Sequence, residues 1–327
     1  MKKACTIGAL ATLGLLAAQL VMAGPDNDAR AWLERMSTAM SQMNYQGTFV
    51  YMQGDAMETM RITHVSDEDG VHERLVSQSG TPREILRDSS GVRWVGGDDT
   101  SVLEDRSIRR SFFPELPLSG NQKGGESYTF KFGGKTRIAG HSSRNIKVMP
   151  RDHYRYGYSL WLEEHSGLLL KWELIDSKRH TLAKLMFTDL KLGSEVDRGE
   201  LQPSGRMQSS RTVESALPAA NAGISGQPHW RPSRVPPGFT LSSHRYVEAA
   251  DEDGGKYEHL VYSDGLAAVS VYVESLGEVP AHPEITQQHG TTHAYMGTSG
   301  NMMVTVVGNV PAVTVEMVGK SVELNSP

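Results

Sequence analysis

The chain has 327 residues, 38% of them hydrophobic, and 33 Lys and Arg against 38 Asp and Glu leave a formal net charge of −5. A mildly acidic protein makes a poor nucleic-acid binder, because neutralising phosphates needs a basic surface. With Cys5 as its single cysteine, the chain downstream has no disulfide, no thiol nucleophile and no thiolate ligand for zinc, so about 300 residues must be held by their own cores, most naturally in two domains.

Lys2 and Lys3 make a basic start, residues 7–21 are an apolar run broken by Thr12 and Gln19, and Val21-Met22-Ala23 supplies the −3 and −1 positions of a cleavage site. This is the pattern of a secretory signal peptide spanning residues 1–23, and its length and flanks suit a stable membrane span poorly; an uncleaved anchor is the alternative. Cys5 lies too far from Ala23 to be a lipid acceptor. No later apolar run approaches spanning length, so a soluble, exported protein is expected.

Asp26 or Asp28 can cap a helix carrying Trp32, Leu33, Met36, Met40 and Met43 at helical spacing, with Asn44 as its stop. The methionines suit an irregular apolar partner. The next stretch, Asn44-Tyr45-Gln46-Gly47-Thr48-Phe49-Val50-Tyr51-Met52, puts Tyr45, Phe49 and Tyr51 on one side of an extended chain. Such a strand either sits in an ordinary core or lines a concave apolar surface.

Turn signals at Gln53-Gly54-Asp55, Asp67-Glu68-Asp69-Gly70, Ser79-Gly80-Thr81-Pro82, Asp88-Ser89-Ser90-Gly91 and Gly96-Gly97-Asp98-Asp99 recur about every ten residues, which predicts an antiparallel meander over residues 45–192. Tyr128, Phe130 and Phe132 share a face. The even positions Tyr156, Tyr158, Leu160 and Leu162 are apolar, and Leu168, Leu170, Trp172 and Leu174 continue one face beyond a turn at 163–167. Residues 203–228 are rich in Ser, Gly, Ala, Gln and Pro and read as a linker, with one helical turn at 212–217. From residue 229 a smaller α+β unit is expected. It has a rigid turn at Pro236-Pro237-Gly238 and another at 251–255, Val269, Val271 and Val273 on one strand face, a buried strand at 302–307, and a helix after Pro311 with Val313, Met317 and Val318 on its apolar side.

No catalytic constellation emerges: there is no Gly-x-Ser-x-Gly elbow, no Ser-x-x-Lys, no P-loop and no His-Glu-x-x-His. Glu163-Glu164 beside a turn glycine reads as solvated charge. His289 and His293 would share a helix face, but Gly290, Thr291 and Thr292 between them are poor helix residues and no third ligand is near in sequence, so no metal and no cofactor are expected. Asp152 and His153 lack the nucleophile and oxyanion donors of a mechanism; Asp152 is expected to pair with Arg151 or Arg155 before a strand. What remains is apolar surface. Phe49, Tyr51, Trp94, Phe112, Phe113, Phe130, Phe132, Trp161 and Trp172 are candidates for lining a hollow in a curled sheet, where an acyl chain would gain roughly 0.8 kcal/mol per buried methylene before entropy costs.

Several motifs together resemble the RseB/MucB family: Tyr45-Gln46-Gly47-Thr48-Phe49-Val50-Tyr51; Arg61, His64 and Gly70-Val71-His72-Glu73-Arg74-Leu75; Gly80-Thr81-Pro82-Arg83-Glu84; Pro150-Arg151-Asp152 with Arg155-Tyr156-Gly157-Tyr158 and Leu160-Trp161-Leu162; Trp230-Arg231-Pro232-Ser233-Arg234-Val235-Pro236-Pro237-Gly238-Phe239; and Asp264-Gly265-Leu266-Ala267. The resemblance covers nearly the whole chain after residue 23, with the MucB branch slightly closer. It implies a larger domain, residues 24–202, similar to the lipoprotein carriers LolA and LolB: an unclosed antiparallel β-barrel, mostly β, with helices on its concave side. It implies a smaller C-terminal α+β domain, residues 229–327, that binds the periplasmic part of an RseA/MucA-like membrane anti-sigma factor. Function would then be negative regulation of the envelope stress (sigma-E or AlgU) response, and of alginate production in the MucB branch. The bound factor is shielded from proteolysis until a lipid or lipopolysaccharide-type signal releases it. On this reading Tyr45, Phe49 and Tyr51 face the hollow or its helical filling. Tyr257, Leu260, Tyr262 and Leu266 flank a polar turn and are candidates for the partner surface, the alternative being that they fill the small domain's core. A periplasmic lipid or lipoprotein carrier is the second function class, against which the extra domain argues, and an envelope enzyme the third. A homo-oligomer is compatible with all three.

Overall fold

In this computed structural model, residues 25–89, 91–95, 113, 126–193, 196–202, 226–248, 256–277 and 283–325 are described. Residues 1–23, most of the 203–228 segment, the turn at 251–255 and Phe112 lie outside them.

Helical spacing and a permissive start produce α1 (Pro25–Gln42). It begins at Pro25, ahead of the aspartates that the sequence offers as caps; proline suits a first helical position, where its missing N–H has no partner to lose. Ala29, Leu33, Met36 and Ala39 of α1 are buried. Met43 N still bonds Ala39 O at 3.0 Å, and Asn44 then turns the chain: its Oδ1 accepts from Ser66 N at 2.9 Å and its backbone oxygen from Gly193 N at 2.8 Å.

Ten strands follow: β1 (Tyr45–Gln53), β2 (Ala56–Asp67), β3 (Gly70–Ser77), β4 (Glu84–Asp88), β5 (Gly91–Val95), β6 (Tyr128–Ile138), β7 (His141–Pro150), β8 (Gly157–Glu163), β9 (Leu169–Ile175) and β10 (Thr181–Leu192). They form one antiparallel sheet in the order β5-β4-β3-β2-β1-β10-β9-β8-β7-β6. Two hairpin meanders thus meet where β1 pairs β10, and β5 and β6 remain as edges, so the sheet is not closed. It curls nonetheless: α1 packs on β6 at one edge and also on β2, across five intervening strands. The rows facing α1 are apolar. One runs Tyr51, Leu185, Trp172, Leu160, Ile146, Phe132 through successive register partners.

The β1–β10 seam carries an irregularity. Thr48 pairs with Asp189 and Phe49 with Phe187, so Thr188 is the extra residue, and its hydroxyl donates to Thr48 O at 3.1 Å. Such bulges sharpen local twist. Gly47 permits the close approach here, since a Cβ at this position would lie 2.3 Å from Asp189 O and 3.0 Å from the Phe187 ring. Gly47→Ala is expected to lower the urea midpoint of the larger domain by about 1–3 kcal/mol equivalent, because the clash is with backbone and cannot be rotated away; an unchanged midpoint would show that the seam can open.

The smaller unit comprises β11 (Trp230–Pro232), β12 (Thr240–Glu248), β13 (Lys256–Ser263), β14 (Ala268–Ser275), β15 (Ile285–His289), β16 (Thr292–Ser299), β17 (Met302–Gly308), α2 (Ala312–Gly319) and β18 (Val322–Leu324). Its six-stranded sheet has the order β12-β13-β14-β17-β16-β15, and β11 pairs β18 beside it. Val269, Val271, Val273, Val304 and Val306 meet Val315 and Val318 of α2 in its core. The helix is turned differently from its sequence reading. Thr314, Val315, Val318 and Gly319 face inward and Val313 is exposed, because Gly319 lets the helix close on the Tyr295 ring, 2.1 Å from where a Cβ would sit.

Glu163 also departs from expectation. It is buried, not solvated, and organises the β8–β9 turn by accepting from His165 N (3.0 Å), Ser166 N (2.6 Å) and Ser166 Oγ (2.7 Å). Its neighbour Glu164 takes Lys135 Nζ at 2.5 Å and Ser142 Oγ at 2.8 Å. Burial pushes the Glu163 carboxyl up, but the bonds from Ser166 and His165 outweigh it and hold the group below its ordinary range. A carboxyl depressed on folding contributes stability that is complete above its unfolded value of about 4.3 and is lost as pH falls through the lower folded value. Glu163→Gln is therefore expected to cost stability at pH 7 and to flatten the acid limb; denaturant midpoints of both proteins between pH 7 and 2 check this, and parallel curves would refute it.

Candidate functional site

The two domains meet on the segment between β7 and β8. Tyr154 O accepts from Thr314 Oγ1 of α2 at 2.6 Å. His293 Nδ1 lies 2.8 Å from Val310 O, which can only accept, so this nitrogen carries the proton; Tyr156 OH lies 3.4 Å from it. Ser127 Oγ donates to Pro237 O at 3.3 Å, and Gln53 Nε2 at the tip of the β1–β2 hairpin donates to Thr291 Oγ1 in the β15–β16 turn at 2.9 Å.

At the centre lies Arg155, 1% exposed. Asp152 of the same segment grips its guanidinium from one side, Oδ1 to Nε at 3.1 Å and Oδ2 to Nη2 at 3.0 Å. From the smaller domain, Asp264 Oδ2 pairs with Nη1 and Pro237 O accepts from Nη2 at 2.7 Å. Asp264 is fully engaged in turn: Oδ1 accepts from Leu266 N at 2.8 Å and Ala267 N at 2.7 Å, while Oδ2 also accepts from Tyr128 OH at 3.1 Å. The Arg155 charge lies over the Phe239 ring at 5.1 Å and the Tyr128 ring at 5.5 Å. Burial alone would lower the Arg155 pKa, but Asp264, Tyr128 and Asp152 outweigh it and raise it; burial and then Asp264 push the Tyr128 phenol well above its usual range. Buried charges persist only when paired and hydrogen-bonded, and this pair meets both conditions with groups from both domains.

Several aromatic candidates for the hollow converge on the face that α1 covers. Phe49, Phe113, Phe130 and Trp172 are buried, and Tyr51 and Phe132 pack partly buried against the same core. Phe113 stacks on Phe187 at 5.9 Å, and Phe49 meets both edge-on. Trp32 of α1 lies 6.5 Å from Phe132. Trp94 is in register with Ile85, in the row that also holds Leu75 and Ile62. Trp161 packs partly buried against the same core, but pleating puts it on the opposite side of β8 from Leu160 and Leu162, with Lys171 Nζ 4.0 Å above its ring. Of the partner candidates, Leu260 and Tyr262 are buried in the small core and present no free surface. Tyr257 is half-buried with its ring 5.9 Å from Tyr272, and Leu266 packs on the core of the larger domain.

His289 and His293 sit on the two strands of the β15–β16 hairpin instead of on a helix, and no group of three metal-ligating side chains occurs among the described residues. Sequence reasoning gave Asp152 two partners and the structure selects Arg155. It missed Asp264 as the third member. The available signal was that Arg155 and Asp264 both lie inside the motifs that carry the family resemblance.

Beyond Gln202 the chain leaves a tethered end. Glu200, in the 3-10 turn Arg198–Leu201, takes two bonds from Arg61 at 3.2 Å, and its backbone oxygen takes Arg74 Nη1 at 2.8 Å. Glu200 is therefore anchored on β2 and β3.

A curled, unclosed sheet packed on a helix and docked through a buried polar junction to a second small sheet defines a two-domain protein of mostly-β architecture. Residues 28–205 match the MucB/RseB N-terminal domain and residues 225–323 the MucB/RseB C-terminal domain, and the chain belongs to the MucB/RseB family. The sigma factor AlgU regulatory protein MucB of Pseudomonas aeruginosa is 32% identical over 323 residues, 97% of each chain. The sigma-E factor regulatory protein RseB of Haemophilus influenzae is 24% identical over 312 residues, 95% of this chain and 96% of that one. The crystal structure of MucB in complex with MucA(peri) superimposes with a TM-score of 0.73 at 29% identity, covering 92% of this chain and 100% of that one. A crystal structure of MucB gives 0.62 at 30% identity, covering 91% and 98%. Among the described residues, no helix is long and apolar enough to cross a membrane.

Proposed function

We propose that the chain is a periplasmic negative regulator of an envelope-stress sigma factor. It is exported through cleavage after Ala23, and it binds the periplasmic domain of a MucA- or RseA-like membrane anti-sigma factor. That binding shields the anti-sigma factor from the protease that starts its destruction. A lipid-type signal entering the apolar interior of the larger domain loosens the grip. The observation that carries this reading is end-to-end membership of the MucB/RseB family, together with the likeness to MucB in its complex with MucA(peri). The LolA/LolB-like plan expected from the resemblance supports a greasy guest, since the rows facing α1 are aromatic and aliphatic. Nothing in the chemistry at the junction calls for catalysis. Of the surface residues, Tyr257 remains the partner candidate with an accessible ring.

The two ligands must be thermodynamically linked. A lipid releases the partner only if it favours an arrangement that binds the partner less well, and bound partner must then weaken lipid binding by the same factor. The test is protection: the anti-sigma periplasmic fragment is incubated with its site-1 protease, with this protein and then with added lipid. Slowed cleavage that lipid restores is expected; cleavage at an unchanged rate refutes the proposal. A lipoprotein carrier is the competing reading, and a pull-down from periplasm separates them, since a carrier retains many lipidated proteins and a regulator one anti-sigma factor.

A further inference from the structure

We infer that the Arg155–Asp264 ion pair is a latch that sets the register of the two domains, and that its opening transmits occupancy of the larger domain's apolar interior to the smaller domain. The second half rests on the function proposed above; the first does not.

Each half of the latch is prepared within its own domain. Asp152 holds the Arg155 fork from the larger domain, and the backbone N–H groups of Leu266 and Ala267 hold the Asp264 carboxylate from the smaller. The pair can therefore part and re-form without refolding either side. Both side chains have zero exposure, which disfavours intermediate positions: a partial separation would leave the Asp264 carboxylate out of water with no cation beside it, so the junction is either shut and dry or open and hydrated. Apart from the bonds that Tyr128 and Pro237 O make to this pair, the bonds seen across the junction among the described residues, from Ser127, Thr314, Gln53 and Tyr156, include no ion pair. Sliding costs little there.

The latch is wired to the interior. Tyr128 donates to Asp264 and belongs to the same buried core as Phe130, whose ring is 6.5 Å away. Arg30 of α1 caps Phe130 at 4.4 Å. Leu266, two residues beyond Asp264, packs on that core from the other domain. A guest that displaces Tyr128 or Phe130 thus removes an Asp264 donor and the Leu266 contact together.

The experiment measures an interdomain distance. The sequence has one cysteine, Cys5, so Cys5→Ala clears the background, and Met186→Cys and Leu324→Cys, at sites 41% and 59% exposed, accept spin labels on the larger and smaller domains. Pulsed EPR is expected to give one narrow distance with the latch intact and a broad distribution with Asp264→Asn. Should that variant not fold by circular dichroism, the Arg155→Met/Asp264→Leu pair, which leaves only the part-exposed Asp152 carboxylate without its cation, takes its place. The narrow distance persisting in a folded variant overturns the latch. Coupling is then read with the periplasmic segment of MucA and phosphatidylglycerol vesicles as probes. Vesicles are expected to weaken the segment's binding about 5–150-fold in the latched protein and by a factor near one in the variant. An equal factor in both overturns the transmission. If the latched protein fails to bind the segment at all, the proposed function falls, and the EPR result still decides the latch.

Discussion

Phe49→Ala is expected to lower the stability of the larger domain by about 3–5 kcal/mol, the range for truncating a fully buried phenylalanine. Phe49 has zero exposure and lies where the two meanders join, between Met60 of β2 and Phe187 of β10. Its ring meets Phe113 at 5.6 Å and Phe187 at 5.7 Å, both edge-on, an arrangement that adds to simple burial. Met60 and Phe187 cannot collapse into the space, because they belong to paired strands on both sides. If the cavity becomes accessible, the variant should also bind acyl chains differently from the parent. Differential scanning calorimetry checks the first effect, with the transition of the larger domain falling by several degrees. A shift under one degree would mean that the site relaxes and closes the cavity.

The second large effect is expected from Glu258→Ala, at about 3–5 kcal/mol, confined to the smaller domain. The Glu258 carboxylate lies against His244 Nε2 at 2.6 Å and accepts His229 N at 2.9 Å and Trp230 N at 3.1 Å. It is buried, as is His244. One group therefore ties the strand that opens the domain, β11, to β12 and β13, and its removal strands several buried polar groups at once. Glu258→Gln retains one acceptor oxygen and the shape, and should recover part of the loss. Thermal unfolding followed by calorimetry should show the smaller domain's transition lowered and the larger one's unmoved. Both transitions moving together would show that the domains unfold as one unit. An unchanged profile would remove Glu258 from the account.

Much of the fold was legible because it is local. The alternation in 168–174 and 269–273, the turn residues at regular intervals and the helical spacing from Trp32 to Met43 each express one period, and each element formed with the expected side inward. Where the reading slipped, the reasons differed. Val313 carries the right residue type for a buried stripe, but Gly319 against Tyr295 turned the helix away from it. Glu163 reads as solvent-facing in any window around it, and only the folded β8–β9 turn points three donors at it. Trp161 was grouped with the other aromatics by composition, although its odd place in an even-numbered apolar series already assigned it to the other face.

By itself the sequence determined the meander, the thiol-free chain after Cys5, the polar segment between two units and the family, since these depend on residue type, period and spacing. The tertiary structure alone decided which polar residues matter. Arg155 and Asp264 are 109 positions apart and belong to different domains. A buried charge acquires its partner only through docking, so no local pattern in the chain could have joined them.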